Sequence, residues 1–314
     1  MKKYAIGVDI GGTTVKIGVF RIDGTLDKKW EITTRKENDG KQILSDIAEA
    51  IRMELAGRGA SMEDVAGIGM GIPGPVLNET VVNQCVNLGW GVFDVTEEMR
   101  RLTGVERIKA GNDANVAALG EMWKGGGRGH RNVVMITIGT GVGSGIILDG
   151  KIVEGAFGAG GEIGHLRMSG TETECCGCGK KGCLEQYASA AGIVRTAKRR
   201  LADCEQPSAL RRLPQMTAKD VFDCAKAGDS LAAEVVAFAG EMLGTAISFI
   251  SCVVDPEVYV IGGGVSGAGS ILLDAIIPHF EENAFHASRQ AKFKLAELGN
   301  DAGIYGSVKL VMEG

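Results

Sequence analysis

The sequence predicts an α/β protein of two lobes with a cleft between them, and three observations carry that prediction. Strand-like and helix-like segments alternate along all 314 residues, a length at which one domain usually becomes two. A unit near the start returns in the second half: "VDIGGTTVKIGVFRIDG" and "ITIGTGVGSGIILDG" share the plan strand, Gly/Thr loop, strand, Asp-Gly turn. The copies lie about 128 residues apart, too far for a solenoid and suited to a duplicated domain.

Taken in order, "KYAIGVDI" and "VKIGVF" are short apolar runs with β-branched residues, and "RIDGTL" supplies an Asp-Gly turn. The opening is therefore expected to be consecutive antiparallel strands. Residues 41–56 place Ile43, Leu44, Ile47, Ile51 and Leu55 at helical spacing, with Gly57 as the stop. "VAGIGMGIPGP" is a strand entering a Gly/Pro loop, and "GNDANVAAL" starts a helix over 114–123. In the second half, helices are expected at 217–227, where Thr217 and Asp220 resemble a capping box, and at 229–252. A strand at 257–261 and a helix at 270–283 follow. The expected domains are a first lobe over 1–112, joined by a C-terminal helix at 302–314, and a second lobe over 113–301.

Composition is that of a soluble globular protein, 45% hydrophobic and 23% charged with 6 prolines. The 48 glycines fall in clusters, as loops do where backbone approaches a ligand or adopts positive φ. A net charge of −5 speaks against a nucleic-acid partner, while leaving room for an anion held by backbone N–H groups and a metal. Asp9 interrupts the apolar start, so no signal peptide is expected and the cytoplasm is the expected compartment. Glu234 and Glu241 lie in the most apolar window, 231–254, which makes it a buried core helix and no membrane span.

"DIGGTTVK" sets Gly11, Gly12, Thr13 and Thr14 between two strands, with Asp9 before them and Lys16 after. Successive N–H groups in such a turn make an anion nest, to which hydroxyls and Lys16 add donors, and Asp9 is placed to hold Mg²⁺ through water. A tight hairpin is the simpler reading of one such loop. Gly139, Thr140, Gly141 and Gly143 repeat the chemistry, and two phosphate clamps point to a nucleoside triphosphate. Gly262, Gly264 and Gly267 match G-x-G-x-x-G, which alone would suggest a dinucleotide-binding oxidoreductase. That match lies far from the N-terminus, and the loop with Gly262, Gly263 and Gly264 is read instead as carrying the adenosine part of the nucleotide. No P-loop sequence G-x-x-x-x-G-K-[ST] occurs.

Four of the eight cysteines fall within 175–183, "CCGCGKKGC", directly before "LEQ". In a cytoplasmic protein such a cluster is more often metal-binding than disulfide-bonded. Cys176, Cys178 and Cys183 with His165 make a Cys₃His set suited to tetrahedral zinc, and four protein ligands make the site closed and structural. Reduced thiols without metal are the alternative, and Cys175 is an extra thiol. Zinc at this point would tie down two Gly-rich loops and fix Glu162 and Glu185, paired carboxylates able to accept from neighbouring hydroxyls of a ligand.

D-x-G-G-T-x-x-K at 9–16, the Gly-Thr-Gly loop and C-G-C-G-x-x-G-C-x-E at 176–185 resemble the ROK family (repressors, open reading frames, kinases) over nearly the whole chain. Within that family "GCLEQYASAAGIV" is most similar to the bacterial glucokinases. The resemblance implies the actin-like, ribonuclease-H-like ATPase fold and ATP- and Mg²⁺-dependent phosphorylation of glucose to glucose 6-phosphate. It implies sugar contacts at Glu162, His165, Glu185 and Asn112, with Asn87 added, and Asp113 as the base. A helix N-cap is the alternative role for Asp113. Another hexose kinase of the family, for fructose, N-acetylmannosamine or N-acetylglucosamine, is the first rival, and polyphosphate is the alternative donor. The second rival is a sugar-responsive repressor; with the phosphate loop beginning at residue 9, a preceding DNA-binding domain is not expected. A homodimer or homotetramer is expected.

Overall fold

The computed structural model describes residues 2–312, and these fall into two compact units. The first ends at Gly129, resumes over Gly145–Gly161 and returns at Glu297; the second comprises His130–Ser144 and Glu162–Ala296.

The first unit is built on strands β1 (Tyr4–Ile10), β2 (Thr14–Arg21), β3 (Leu26–Thr33), β4 (Val65–Ile72) and β8 (Ile108–Asn112). Their order is β3-β2-β1-β4-β8. As expected, β1 and β2 are antiparallel, with Asp9 opposite Lys16; β4 runs parallel to β1 and to β8. The alternation of a strand sorts residues to two faces. Ile6, Val8 and Ile10 meet the apolar stripe Ile43, Leu44, Ile47, Ile51 and Leu55 of α1 (Ile43–Gly57), with Val95 and Met99 of α2 (Val95–Thr103) in the same core.

The opposite face takes the terminal helix α9 (Ala302–Met312), where Ile304 and Val308 pack on Ala5 and Phe20. The approach is close enough that a Cβ on Gly69 would stand 2.5 Å from the Ser307 carbonyl carbon. Strand glycines are therefore what lets α9 lie down. Helix α3 (Asp113–Lys124) packs on α9 in turn, with Gly120 and Gly306 at the crossing. The compact unit consequently runs past the expected boundary at 112, because α3 shares its buried face with α9. The fully buried Glu121 of α3 accepts backbone N–H bonds from Gly126 (2.8 Å), Glu297 (3.0 Å) and Leu298 (2.8 Å), anchoring the returning chain. A small sheet of β5 (Val76–Leu77), β6 (Val81–Cys85) and β7 (Trp90–Asp94) completes this unit.

A second five-stranded sheet has the order β11-β10-β9-β12-β13. Its strands are β9 (Val133–Ile138), β10 (Val142–Leu148), β11 (Lys151–Ile152), β12 (Val258–Gly262) and β13 (Lys292–Leu295). In the second unit β12 lies parallel between β9 and β13. The helices are α4 (Glu185–Ala188), α5 (Ala190–Asp203), α6 (Ala218–Lys226), α7 (Ser230–Val254) and α8 (Ser270–Asn283). Thr217 and Asp220 form the expected reciprocal capping box of α6. Helix α7 is long and apolar, and 61% of its most apolar window is buried under packing with α5, α6 and α8. That is the expected core helix.

Candidate active site

In the first unit, alternation along β1 directs Ala5, Gly7 and Asp9 to the face that α9 covers. A Cβ on Gly303 would stand 2.5 Å from the Asp9 carboxyl carbon, so glycine at the start of α9 makes room for that group. Burial first, and the Asp113 charge second, push the Asp9 carboxyl up to about 6, against a smaller opposing effect of Lys16. Lys16 is bound to the Asn300 carbonyl and lies 3.6 Å from Asp301 and 3.8 Å from Glu31. Between the two strands, Gly11 N–H donates to the Thr14 carbonyl (2.9 Å), and the Thr34 hydroxyl donates to the Gly11 carbonyl (2.7 Å). Gly12 has open space where a Cβ would be, and Thr13 and Thr14 are exposed.

Helix α3 starts one residue earlier than expected, and its N-cap is Asn112, not Asp113. The Asn112 Oδ1 accepts from Ala114 N (3.0 Å) and Asn115 N (3.2 Å), and its Nδ2 donates to the Gly74 carbonyl (3.2 Å). Asp113 sits in the first turn, where backbone dipoles favour an ionised carboxylate, and its Oδ1 accepts from Ala114 N (2.8 Å). Asn87 is exposed in the 3₁₀ turn Val86–Leu88. Its neighbour Cys85 has a thiol pushed up mainly by burial, with the Asp113 charge contributing, so Asp9, Cys85 and Asp113 share one electrostatic neighbourhood.

In the second unit the Gly139–Gly143 loop closes tightly, Gly139 N–H donating to the Gly141 carbonyl (2.9 Å). Gly263, at φ +81°, has its Cα pressed on β9: a Cβ there would lie 2.6 Å from Ile138 N, so the third glycine loop abuts the second. A Cβ on Gly141 would stand 2.9 Å from the Glu185 Oε2. Thus a carboxylate expected to hold sugar lies against a loop expected to hold phosphate. Two open pockets share Thr140. One of about 390 Å³ includes Gly141, Cys176, Glu185 and Arg195 in its lining; the other, of about 520 Å³, is lined in part by Ala191, Val194, Lys198, Met216 and Thr217.

His165, Cys176, Cys178 and Cys183 each bring one ligand atom within 4.8 Å of the others. The Cys178 and Cys183 sulfurs are 3.6 Å apart, and Cys176 Sγ is 3.7 Å from His165 Nδ1. Tetrahedral zinc with ordinary bond lengths needs separations of about 3.6–3.8 Å. The donor set fits. Cys175 is exposed and outside the cluster. Glu185 Oε1 accepts from the Cys176 thiol (2.7 Å) and lies 3.7 Å from His165 Nδ1, so the cluster and this carboxylate are in direct contact. Glu162 is exposed, and its carbonyl accepts from His165 N (3.2 Å).

Sequence reasoning missed Gly303, whose role depends on a contact across nearly the whole chain. It also passed over Gln186 and Arg195, although Gln186 stands inside the quoted "LEQ".

A sequence model of the ROK family matches residues 5–313. A glucokinase of Halalkalibacterium halodurans is 42% identical over 99% of this chain and 96% of its own. Among solved structures, a ROK family glucokinase from Streptomyces griseus in complex with glucose and AMPPNP aligns with a TM-score of 0.77 at 32% identity, covering 99% of this chain and 100% of that one. A ROK hexokinase from Thermus thermophilus gives 0.79 at 30% identity, over 99% and 98%.

Proposed function

The chain belongs to the ROK family and is a hexose kinase with its α/β, actin-like fold; from that premise we propose that it makes glucose 6-phosphate from glucose and ATP, with Asp113 as the base. The observation that carries the residue assignment is the approach of Glu185 to the Gly139–Gly141 loop, which puts a hydroxyl acceptor beside a phosphate clamp.

Asp113 accepts the proton of the sugar 6-hydroxyl as its oxygen attacks the γ-phosphorus in line. The bond from that phosphorus to the β,γ-bridging oxygen breaks, and ADP leaves with the electron pair. Such transfer depends chiefly on positioning and on electrostatic stabilisation of the equatorial oxygens. Gly11, Gly12, Thr13, Thr14 and Lys16 in the first unit, and Gly139, Thr140, Gly141 and Gly143 in the second, supply donors to the phosphates. The base and ribose take the pocket of about 520 Å³, and Gly262, Gly263 and Gly264, in the loop that abuts the end of β9, are assigned to the nucleotide as well. Mg²⁺, when bound near Asp9, offsets charge on the transferring group.

The sugar is held by Glu162, His165 and Glu185, by Asn112, and by Asn87. Zinc, held by His165, Cys176, Cys178 and Cys183, is structural: four protein ligands leave no open position. We read the protein as cytoplasmic, without nucleic-acid or membrane partners, and as a homodimer or homotetramer, to which the exposed Phe249, Val253 and Phe285 offer apolar surface. The test is product formation by the purified chain with glucose, ATP and Mg²⁺. Equal amounts of ADP and glucose 6-phosphate are expected. ADP released without sugar phosphate would overturn the reading.

A further inference from the structure

The loop that carries the cysteines has a second set of ties, made without any of the four metal-ligating atoms. Gln186 is buried, at 8% exposure. Its Oε1 accepts from Gly182 N (2.8 Å) and Cys183 N (3.1 Å), and its Nε2 donates to the Glu174 carbonyl (3.1 Å). One side chain therefore joins both arms of the loop. The turn it holds has little freedom otherwise, since Gly182 sits at φ +80° with the Ser169 backbone where a Cβ would be.

The backbone of Gln186 is held as well. Its carbonyl accepts from Arg195 Nη2 (2.7 Å). Arg195 also meets Glu172 (3.0 Å) and Glu174 (3.2 Å), and Arg199 meets Glu172 (3.0 Å), whose side chain is only 2% exposed. Helix α4 is a single turn with no side-chain N-cap, too short to fix its own orientation. This network fixes it together with the buried Leu184, Tyr187 and Ala188, and the first residue of the helix is Glu185.

We infer that Gln186, braced by Arg195 and Glu172, is a positioning residue for hexose binding: it sets the backbone that carries Glu185 and Cys183. The inference rests on the hexose-kinase reading and assigns Gln186 no contact with sugar. A buried amide that serves three backbone groups cannot be replaced by an apolar side chain without stranding them. Displacing a substrate-holding group by about 1 Å costs on the order of a hundredfold.

The test is Gln186→Met, which keeps the length and removes every polar partner. Glucose KM, and glucose Kd by calorimetry, should rise about tenfold to a hundredfold, with a rise in nucleotide KM at least about fivefold smaller, since Gln186 itself bonds to neither glycine loop. Amide exchange at Gly182 and Cys183 should accelerate in the same variant. Gln186→Glu, which keeps the acceptor for those two amides, should recover most of the glucose affinity. Should Gln186→Met fail to fold, Glu172→Gln, which removes the charge that braces Arg195 and lies outside both pockets, should show the same split between glucose and nucleotide. Glucose KM unchanged, or glucose and nucleotide KM rising by one factor, would overturn the inference. Those results leave the unaltered protein a hexose kinase; failure of the unaltered protein to phosphorylate any hexose would instead remove the reading beneath it.

Discussion

The two glycine loops share a backbone plan and differ in where their charge comes from. In the first, the flanking strands themselves bring Asp9 and Lys16, paired across β1 and β2. In the second, the positions at the same offset are Thr137 and Ser144, uncharged. Charge reaches that loop from elsewhere: Glu185 is carried to Gly141 by a segment that a cysteine–histidine cluster and Gln186 hold in place. On the proposed assignment, one backbone plan serves two kinds of recognition. A strand residue gives a fixed carboxylate suited to a metal ion, whereas an imported one can be shaped to a sugar.

The largest effect should fall on the first side of this comparison. Asp113→Asn is expected to bind glucose nearly normally and to lose about 10²–10⁴-fold in kcat, the usual cost of removing a general base. Near-normal turnover in that variant would take Asp113 out of the base role.

Asp9 should show the cost of a carboxylate fixed in a strand. Its folded pKa, about 6, lies above the ordinary value, so the folded chain holds this proton more tightly than the unfolded one. The contribution of Asp9 to stability is therefore fullest below about pH 4, is lost as pH rises to about 6, and then stays level. Asp9→Asn should accordingly gain about 2–3 kcal/mol at pH 8 without Mg²⁺, and nothing at pH 4. Urea unfolding at the two pH values checks this; equal effects at both would contradict it.

On the second side, the purified protein should carry about one zinc per chain, and Cys178→Ser or chelation should raise glucose KM about tenfold with little change for nucleotide. Elemental analysis of active enzyme without metal would end that account. Smaller still is a glycine pair. Gly141→Ala, with its Cβ driven against Glu185, should raise glucose KM about threefold to fivefold, an effect of roughly 1 kcal/mol. Gly12→Ala, where nothing lies within 4 Å of the added carbon, should leave folding intact and weaken only nucleotide. If Gly141→Ala leaves glucose KM unchanged, or Gly12→Ala raises it, the two loops do not differ as described.

Much of this was legible because it is local. The β1–β2 hairpin, the α1 stripe, the Thr217 capping box and helix 270–283 follow from short-range pattern. The Cys₃His set was legible from spacing, since three of its members lie within eight residues. Long-range partners were not. Nothing around Asp9 announces Gly303, nothing near Glu121 announces Glu297 and Leu298, and the extension of the first unit through α3 depends on two glycines, Gly120 and Gly306, far apart in sequence. Gln186 was in plain view beside Glu185, but a glutamine carries no motif until its three backbone partners are seen.

The central claim is a pocket whose polar groups were set for the hydroxyls of glucose. A site that hydrogen-bonds each hydroxyl rejects an analogue that misplaces one, because a buried partner is left unpaired. The most direct measurement is kcat/KM with ATP and Mg²⁺ for glucose, mannose, fructose, N-acetylglucosamine and N-acetylmannosamine. The account predicts glucose first. An N-acetylated sugar or fructose preferred by more than about tenfold, a difference of about 1.4 kcal/mol, would contradict it.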